Sequence, residues 1–211
     1  MERGRWLGAL CTALGLAACT TPEPARKAAE QAPAARADAG TAGAPGPGES
    51  VGSEDTNGDG RPDVRITTRK VEGPAGADVE RLLRRELDIN YDGTFDVTKD
   101  YDISRPAEEG EVLAREAVDA NLDGRPDTTS HYEKGLVVRQ ERDVDGDGRP
   151  DVWLHYLAGR QTLSERDTNG DGRADYWEYW KEGRVERIAE DLDGDGKPDK
   201  STGNPNAPAN P

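Results

Sequence analysis

The residues of this chain best suited to chemistry are aspartates that recur in six copies of one nine-residue pattern. The fourth copy reads DVDGDGRPD and holds four aspartates and two glycines. The copies, named loops 1 to 6, span residues 55–63, 88–96, 119–127, 143–151, 167–175 and 191–199. Crowded carboxylates repel one another, so a cation at the centre of each copy would explain why they recur.

Each loop offers oxygen atoms at alternate positions. Oxygens at positions 1, 3 and 5, a glycine at 6, a backbone carbonyl at 7 and an acid at 9 suit a hard divalent cation. Calcium fits such an all-protein site better than magnesium, which gives up its water ligands reluctantly. The sequence therefore predicts calcium as the cofactor, and the alternative is that the aspartates only form turns.

The predicted metal ligands lie at positions 1, 3, 5, 7 and 9, except that position 7 is left out in loop 2, and the Arg and Lys residues at position 7 contribute only their carbonyl. They are Asp55, Asn57, Asp59, Arg61, Asp63; Asp88, Asn90, Asp92, Asp96; Asp119, Asn121, Asp123, Arg125, Asp127; Asp143, Asp145, Asp147, Arg149, Asp151; Asp167, Asn169, Asp171, Arg173, Asp175; and Asp191, Asp193, Asp195, Lys197, Asp199. Loop 2 is the weakest copy, because Tyr91 and Phe95 replace smaller residues.

The first nine positions resemble the EF-hand calcium loop. The bidentate Glu of position 12 in that family is present only in loop 5, as Glu178. The other loops carry Ile66, Lys99, Ser130, Leu154 and Thr202 there. The pattern is more similar to the EF-hand-like loops of thrombospondin type 3 and integrin-type propeller repeats, which read DxDxDGxxD without flanking helices. This resemblance implies calcium binding by each loop and says nothing of the overall fold.

Loops 3 to 6 recur every 24 residues, whereas the first two intervals are 33 and 31 residues. Between the loops, residues 152–157 and 160–166 are short β-type runs around a turn at Ala158 and Gly159. The predicted fold is mainly β: tandem repeats of about 24 residues, each a calcium-type loop plus a β-hairpin, in an elongated array. In the longer units, residues 78–87 and 111–118 are good helix formers, so helices and hairpins both remain open there.

The N-terminal residues have the layout of an export signal. Two arginines precede an apolar stretch that ends at Ala18 and is too short to span a membrane stably as a helix. The LAAC sequence at 16–19 resembles the lipobox of bacterial lipoproteins, which implies cleavage before Cys19 and acylation of Cys19. Thr20 after the cysteine favours the outer membrane by the enterobacterial sorting rule. The alternative is an ordinary cleaved secretory signal.

Composition divides the chain into four predicted segments. They are a signal peptide (1–18), the lipidated Cys19 with a disordered Ala/Pro/Gly linker (19–53), a calcium-loop repeat domain (54–200) and a disordered tail (201–211). Only 33% of the residues are hydrophobic, which predicts no large core. The two cysteines, Cys11 and Cys19, both lie at the signal, so no disulfide can stabilise the mature chain and bound metal is expected to do so.

The charge balance of 28 basic against 43 acidic residues gives a net charge of −15, which argues against nucleic acid as a partner. We expect a non-catalytic, lipid-anchored calcium-binding protein with a structural or interaction role at the cell envelope. Its expected partners are the membrane, through the lipid, and an envelope protein or glycan.

Two alternatives stay open at this point. One is a carbohydrate- or protein-binding module that uses exposed aromatics, with Trp153, Trp177 and Trp180 as candidates. The other is an envelope hydrolase that uses an acidic pair outside the loops. His131 and His155 recur at the same place in consecutive repeats, which favours packing or a solvent face over catalysis or zinc binding.

Overall fold

The structure, a computed structural model, describes residues 45–73, 76–106 and 109–203. Cys19, the predicted signal peptide, most of the predicted linker and residues 204–211 lie outside the described residues. Within the described ranges, no helix has the length and apolar character needed to cross a membrane.

In the part of the chain that the structure describes, twelve strands form one open antiparallel sheet in which each strand pairs with its neighbours in chain order. The strands are β1 (Glu49–Glu54), β2 (Val64–Glu72), β3 (Asp78–Leu87), β4 (Val97–Tyr101), β5 (Leu113–Val118), β6 (Thr128–Glu133), β7 (Leu136–Arg142), β8 (Val152–Leu157), β9 (Arg160–Arg166), β10 (Tyr176–Lys181), β11 (Arg184–Glu190) and β12 (Lys200–Gly203). The described residues contain almost no helix, which confirms the prediction of a mainly β chain. The finer prediction of stacked hairpin repeats in an elongated array stays a prediction.

The helical alternative for residues 78–87 and 111–118 is wrong. Residues 78–87 are β3, which pairs with β2 on one side and with β4 on the other. Residues 113–118 are β5, which lies between β4 and β6. Helix propensities differ by only about 0.7 kcal/mol per ordinary residue. Backbone pairing with two neighbouring strands overrides a preference of that size.

The sheet extends past both predicted limits of the repeat domain. It begins at Glu49 rather than at residue 54, because β1 pairs with β2 along its whole length and Glu49 forms an ion pair with Arg69. It ends at Gly203 rather than at residue 200, because β12 pairs with β11. Neither strand contains a large apolar cluster, so composition did not reveal them.

Two kinds of connection lie at opposite ends of the strands. Each of the six loops follows an odd-numbered strand, so all six lie at one end of the sheet, named the loop end. The other connections lie at the opposite end, named the turn end. Three of these are two-residue turns, Lys134–Gly135, Ala158–Gly159 and Glu182–Gly183. Both residues of each turn have positive φ, as type I′ turns require.

Three strands carry a register shift at equivalent places, between His131 and Tyr132, His155 and Tyr156, and Tyr179 and Trp180. Adjacent strand residues point to opposite faces. The Tyr132 hydroxyl accordingly donates to Glu116 Oε2 at 3.1 Å, while His131 Nε2 lies 3.5 Å from Glu141 Oε1 on the other face. The shifts are β-bulges, which increase the local twist of the sheet.

The described residues bury few apolar side chains, namely Leu82, Ala117, Trp177 and Ala189. An equal number of loop aspartates are as deeply buried, namely Asp63, Asp88, Asp96 and Asp119. A buried carboxylate is costly unless hydrogen bonds satisfy it. The order of the loop end therefore depends on the partners of these aspartates.

Candidate metal sites

The carboxylate at position 1 organises each loop. In loop 4, Asp143 Oδ1 accepts a hydrogen bond from the Gly146 N–H and Oδ2 accepts one from the Gly148 N–H, both at 2.7 Å. The equivalent pairs of bonds, to the N–H groups of positions 4 and 6, are made by Asp55, Asp88, Asp119, Asp167 and Asp191. Short acidic side chains favour such local bonds to their own backbone.

The backbone needs positive φ at positions 4 and 6 of every loop. Position 6 is glycine in every loop, and a sharp turn was predicted there. Position 4 was missed by the sequence analysis, although glycine stands there in four loops and signals the need. Tyr91 and Leu122 hold position 4 in loops 2 and 3 with φ of 64°. For such residues the left-handed conformation costs about 1–2 kcal/mol.

The carboxylates or amides at positions 3 and 5 each fix the N–H two residues later. In loop 4 the Asp147 N–H donates to Asp145 Oδ1 at 3.0 Å, and the Arg149 N–H donates to Asp147 Oδ1 at 2.8 Å. The same two bonds occur in the other five loops. Among the described residues, Oδ2 of Asp145 and Oδ2 of Asp147 accept no hydrogen bond, so both oxygens are available to a cation.

The aspartate at position 9 closes each loop. In loop 4 the Val144 N–H donates to Asp151 Oδ2 at 2.7 Å, and the Asp151 N–H donates to the Arg142 carbonyl at 2.8 Å. The position 2 N–H makes the equivalent bond to Asp63, Asp96, Asp127, Asp175 and Asp199 in the other loops. Positions 1 and 9, at opposite ends of the motif, are thereby drawn toward the same centre.

Two loops bring three carboxylates together closely enough for one metal ion. Oxygens of Asp143, Asp145 and Asp151 in loop 4 lie within 4.8 Å of one another, and so do oxygens of Asp191, Asp193 and Asp195 in loop 6. Calcium ligands lie at 2.3–2.6 Å from the ion, so two of them are separated by up to about 5 Å. These two triads can therefore hold a metal ion.

The remaining loops differ at position 3, which is Asn57, Asn90, Asn121 and Asn169 in loops 1, 2, 3 and 5. Within the described ranges, none of these loops forms a triad of acids at this spacing. An asparagine oxygen can still serve as a neutral ligand. The structure thus separates the six copies, which the sequence analysis treated almost alike, into two acidic sites and four sites with less charge.

Hydrogen bonds keep several loop carboxylates ionised. The Thr56 hydroxyl, with the N–H groups of Thr56 and Asn57, holds the pKa of Asp63 below its usual value. The Asn90 side chain and the Thr94 N–H lower the pKa of Asp92. Ionised carboxylates are the form that a hard cation requires.

Hydrogen bonds also lower the pKa of Asp191, the first residue of loop 6. Burial acts to raise the pKa of Asp191, but the N–H groups of Gly196, Gly194, Asp193 and Asp195 together outweigh it and the pKa is lowered. The loop backbone therefore stabilises the negative charge of Asp191 before any ion is bound.

Position 12 does not complete an EF-hand site. Glu178, the one acid at that position, lies in β10 opposite Ser164 and Ile188. Its Oε2 is 3.6 Å from Arg166 Nη2. Each ion bound in a loop would therefore take its remaining ligands from water or from another molecule.

Neighbouring loops are joined directly, which the sequence analysis did not predict. At each of the five junctions the position 1 N–H of one loop donates to the position 9 carbonyl of the preceding loop, at 2.7–2.9 Å. At two junctions the position 7 arginine adds a second bond. Arg61 Nη1 donates to the Asp92 carbonyl at 2.7 Å, and Arg125 Nη1 donates to the Asp147 carbonyl at 3.0 Å.

The two histidines lie on a face of the sheet beside glutamates of the next strand. His155 Nε2 is 2.7 Å from Glu165 Oε2, and the Trp177 Nε1–H donates to Glu165 Oε1 at 3.2 Å. His131 takes the equivalent place beside Glu141. These contacts give both histidines a place in the polar packing of the sheet.

The three candidate tryptophans differ in exposure. Trp177 is buried, with 6% of its surface exposed, whereas Trp153 and Trp180 are half-buried. Trp180 lines an open groove at the turn end together with Arg160, Gln161, Glu182 and Gly183. Trp180 is therefore the tryptophan best placed to meet a ligand.

Comparison with protein families and with curated proteins finds no match for this chain. The basis for assigning a function is therefore the geometry of the loops and the pattern of the sequence.

Proposed function

We propose that this chain is a calcium-binding repeat protein, exported and lipid-anchored at the outer membrane, with a non-catalytic structural or interaction role at the cell envelope. The observation that carries the calcium assignment is the convergence of Asp143, Asp145 and Asp151 in loop 4. The matching triad in loop 6 supports it. In both loops the backbone already holds the carboxylates in place, so little reorganisation opposes binding.

The choice of calcium follows from the kinds of ligand present. The loops offer carboxylate, amide and carbonyl oxygens, which hard cations prefer. The sites lack sulfur and imidazole ligands, which softer metals favour. Magnesium keeps most of its waters and seldom enters a site of this type. Calcium is therefore the ion that the donor set favours.

The position of the loops supports a structural role. In this proposal each 24-residue unit is a loop plus a β-hairpin, and the units stack into an elongated array. Ions bound along the loop end would hold together consecutive units that already share backbone hydrogen bonds. Extracellular calcium modules bind with a Kd of about 10⁻⁴ to 10⁻³ M. A site at tenfold saturation then adds about 1.4 kcal/mol to the free energy of unfolding.

Calorimetry on the metal-free chain, with Cys19→Ser to prevent acylation, tests the calcium assignment. We expect several calcium ions to bind in the millimolar range or more tightly. Asp145→Asn should weaken binding in loop 4, because it converts the acidic triad to the composition of loop 5 while keeping the oxygen that accepts the Asp147 N–H. Asp102→Asn, an acid at the turn end, is the matched control. Absence of binding at about 10 mM calcium would contradict the proposal.

The lipid anchor at Cys19 is supported by the LAAC sequence at 16–19. We expect the wild-type chain to fractionate with the outer membrane and to carry acyl chains on Cys19. The Cys19→Ser variant should be recovered free of membrane. Equal membrane recovery of both forms would contradict the anchor.

A second candidate function, carbohydrate or protein binding, is favoured by the groove that contains Trp180. An aromatic ring with Arg160, Gln161 and Glu182 around it offers both stacking and polar contacts to a sugar. Isolated envelope glycan should quench the tryptophan fluorescence of the wild-type chain and not that of Trp180→Ala. Equal quenching in the two forms would argue against the groove.

A further inference from the structure

Among the described residues, the sheet has two edges without a pairing strand, the outer sides of β1 and β12. Each of these strands pairs with a neighbour on one side only. Residues 50–54 of β1 and 200–203 of β12 are exposed. Unpaired N–H and C=O groups on an exposed edge are a template for pairing with another strand.

The series of backbone hydrogen bonds between neighbouring loops stops at the two edges. Inside the chain, the position 1 N–H of each loop donates to the position 9 carbonyl of the loop before it. Loop 1 is the first of the six copies and loop 6 is the last. The Asp55 N–H and the Asp199 carbonyl are therefore a donor and an acceptor of the same kind, and neither has a partner among the described residues.

The pairing inside the chain also fixes how the two edges would meet. The residue directly after one loop lies opposite the residue directly before the next, as Thr128 does with Arg142 and Val152 with Arg166. The same rule places Lys200 of one copy opposite Glu54 of another. It then places Ser201 opposite Ser53 and Thr202 opposite Gly52.

The charges at this junction are complementary. Lys200 is exposed, and its Nζ lies 2.9 Å from Glu190 Oε2 on the inner side. Glu54 is exposed and forms no ion pair within the described ranges. A lysine opposite a glutamate favours this order of edges, because a parallel β1–β1 pairing with both rows of loops on the same side would bring two Glu54 carboxylates together.

We propose that β12 of one copy pairs in antiparallel fashion with β1 of a second copy of this chain, so that the sheet and the row of loops continue from molecule to molecule. The contact joins two different surfaces, so it is not limited to a symmetric pair and repeats as an open series or as a closed ring. Only a few residue pairs form it, which makes the association weak in dilute solution. Tethering to one membrane would raise the local concentration of copies. The pairing uses backbone groups and one ion pair, and it does not depend on the proposed calcium sites.

Disulfide trapping between two single-cysteine variants tests the register. Ser53→Cys and Ser201→Cys are made separately in a full chain that carries Cys11→Ser and Cys19→Ser. The two proteins are mixed under mild oxidation, with and without calcium. Directly opposite residues in an antiparallel pair have Cα atoms 4.5–5.5 Å apart, which suits a disulfide. We expect a higher yield of the mixed dimer, in which a disulfide joins positions 53 and 201 of two copies, than of either homodimer, with or without calcium.

The matched control mixes Ser53→Cys with Thr202→Cys, which shifts the register by one residue and places the thiol on the opposite face. Thermal unfolding of each variant checks that the fold is retained. No mixed dimer in excess of the homodimers, or equal yields in the test and control mixtures, would overturn the proposal. That outcome would show that the edges are covered by another segment or stay unpaired, and it leaves the calcium proposal unaffected.

Charge reversal provides a second test. Glu54→Lys should lower the yield of mixed dimer by up to about fivefold, the range of an exposed ion pair. Lys200→Glu on the other copy should restore it. Glu133→Lys, in β6 at the middle of the sheet, should leave the yield unchanged. A loss that the second reversal does not restore would count against the Lys200–Glu54 pairing.

Discussion

The two ends of this sheet reverse the chain in different ways. At the turn end, Ala158 and Gly159 alone connect β8 to β9, with φ of 50° and 76°. At the loop end, nine residues connect β7 to β8, and four aspartates accept the hydrogen bonds that shape them. Two residues therefore suffice to reverse a strand of this sheet. The longer acidic loops are more than chain reversal requires, which favours a ligand as their purpose.

The two ends also differ in what holds their backbone. The three two-residue turns are fixed by residues that tolerate positive φ, and ionised groups are not needed for that. The loops are fixed by carboxylates that accept hydrogen bonds from backbone N–H groups. Protons and cations therefore compete for the same carboxylate oxygens. Acid and metal are therefore expected to act on the six loops and to spare the three two-residue turns.

Acid should produce the largest difference between the ends, because carboxyl groups with a lowered pKa occur in loops 1, 2 and 6. The pKa values of Asp63, Asp92 and Asp191 are lowered from 3.8 in the folded chain. The stability they contribute is fully present above about pH 4 and is lost as pH falls through the lowered pKa values. Urea unfolding between about pH 7 and pH 2, with amide exchange to compare the ends, should show the loops opening first.

Asp63→Asn gives the control for the acid experiment, because it removes one titrating group and keeps an acceptor oxygen. The variant should lose less stability than the wild type between about pH 4 and pH 2. Identical pH profiles would show that Asp63 does not couple protonation to folding.

Removing a position 1 carboxylate should have the next largest effect. Asp143→Ala leaves the Gly146 and Gly148 N–H groups without their acceptors, at a cost of about 2 kcal/mol in EDTA. It should also remove the part of the calcium stabilisation due to loop 4. Asp102→Ala deletes a comparable acceptor of the Ser104 N–H at the turn end. It should lower stability in EDTA but leave unchanged the rise in the free energy of unfolding that calcium produces. An equal rise in both variants would show that loop 4 is not where calcium acts.

Exchanging residues at position 4 measures the backbone strain within the loops. Gly146→Ala places a side chain at φ of 79° and should cost about 1 kcal/mol. Leu122→Gly relieves the same strain in loop 3 and should be neutral or stabilising by about 0.5 kcal/mol after the added chain entropy of glycine. Chemical unfolding of both variants measures the two effects. Destabilisation by Leu122→Gly would show that the exposed Leu122 side chain matters more than its backbone.

The smallest expected effect concerns the contacts between loops. Arg125→Met removes the guanidinium bond to the Asp147 carbonyl, and we expect a loss of about 0.5 kcal/mol together with weaker coupling between loops 3 and 4. Arg149→Met is the matched control, because Arg149 makes no such bond to the next loop among the described residues. Calorimetric titration of both variants reads out the coupling. Equal calcium titrations of the two variants would show that the exposed Arg125 bond does not couple loops 3 and 4.

The sequence predicted the regular parts of the fold well. Residues 152–157 and 160–166 were expected as strands around a turn at Ala158 and Gly159, and the structure has β8 and β9 at those bounds. Their alternating pattern and the glycine in the turn carry this information locally. The type of β3 could not be decided locally, because its sequence DVERLLRREL suits a helix and only its neighbouring strands make it a strand.

The candidate site was predicted in part. The positions of the acids follow from spacing alone, and the structure brings those of loops 4 and 6 together. Which three acids converge was not predictable: Asp147 is outside the loop 4 triad, whereas Asp195, at the same position, is inside the loop 6 triad. The bonds between loops were also missed, because they join residues in separate repeats and depend on the register of the whole sheet.

Equilibrium unfolding of the full-length Cys19→Ser chain in EDTA and in about 10 mM calcium tests whether calcium stabilises the folded loops, with magnesium at the same concentration as the control. Calcium that binds the folded loops and not the unfolded chain must raise the free energy of unfolding, by about 1.4 kcal/mol for each site at tenfold saturation. We predict a rise equivalent to at least the two acidic loops, with a smaller rise in magnesium. The same unfolding curve in EDTA and in calcium would show that the folded loops do not bind calcium.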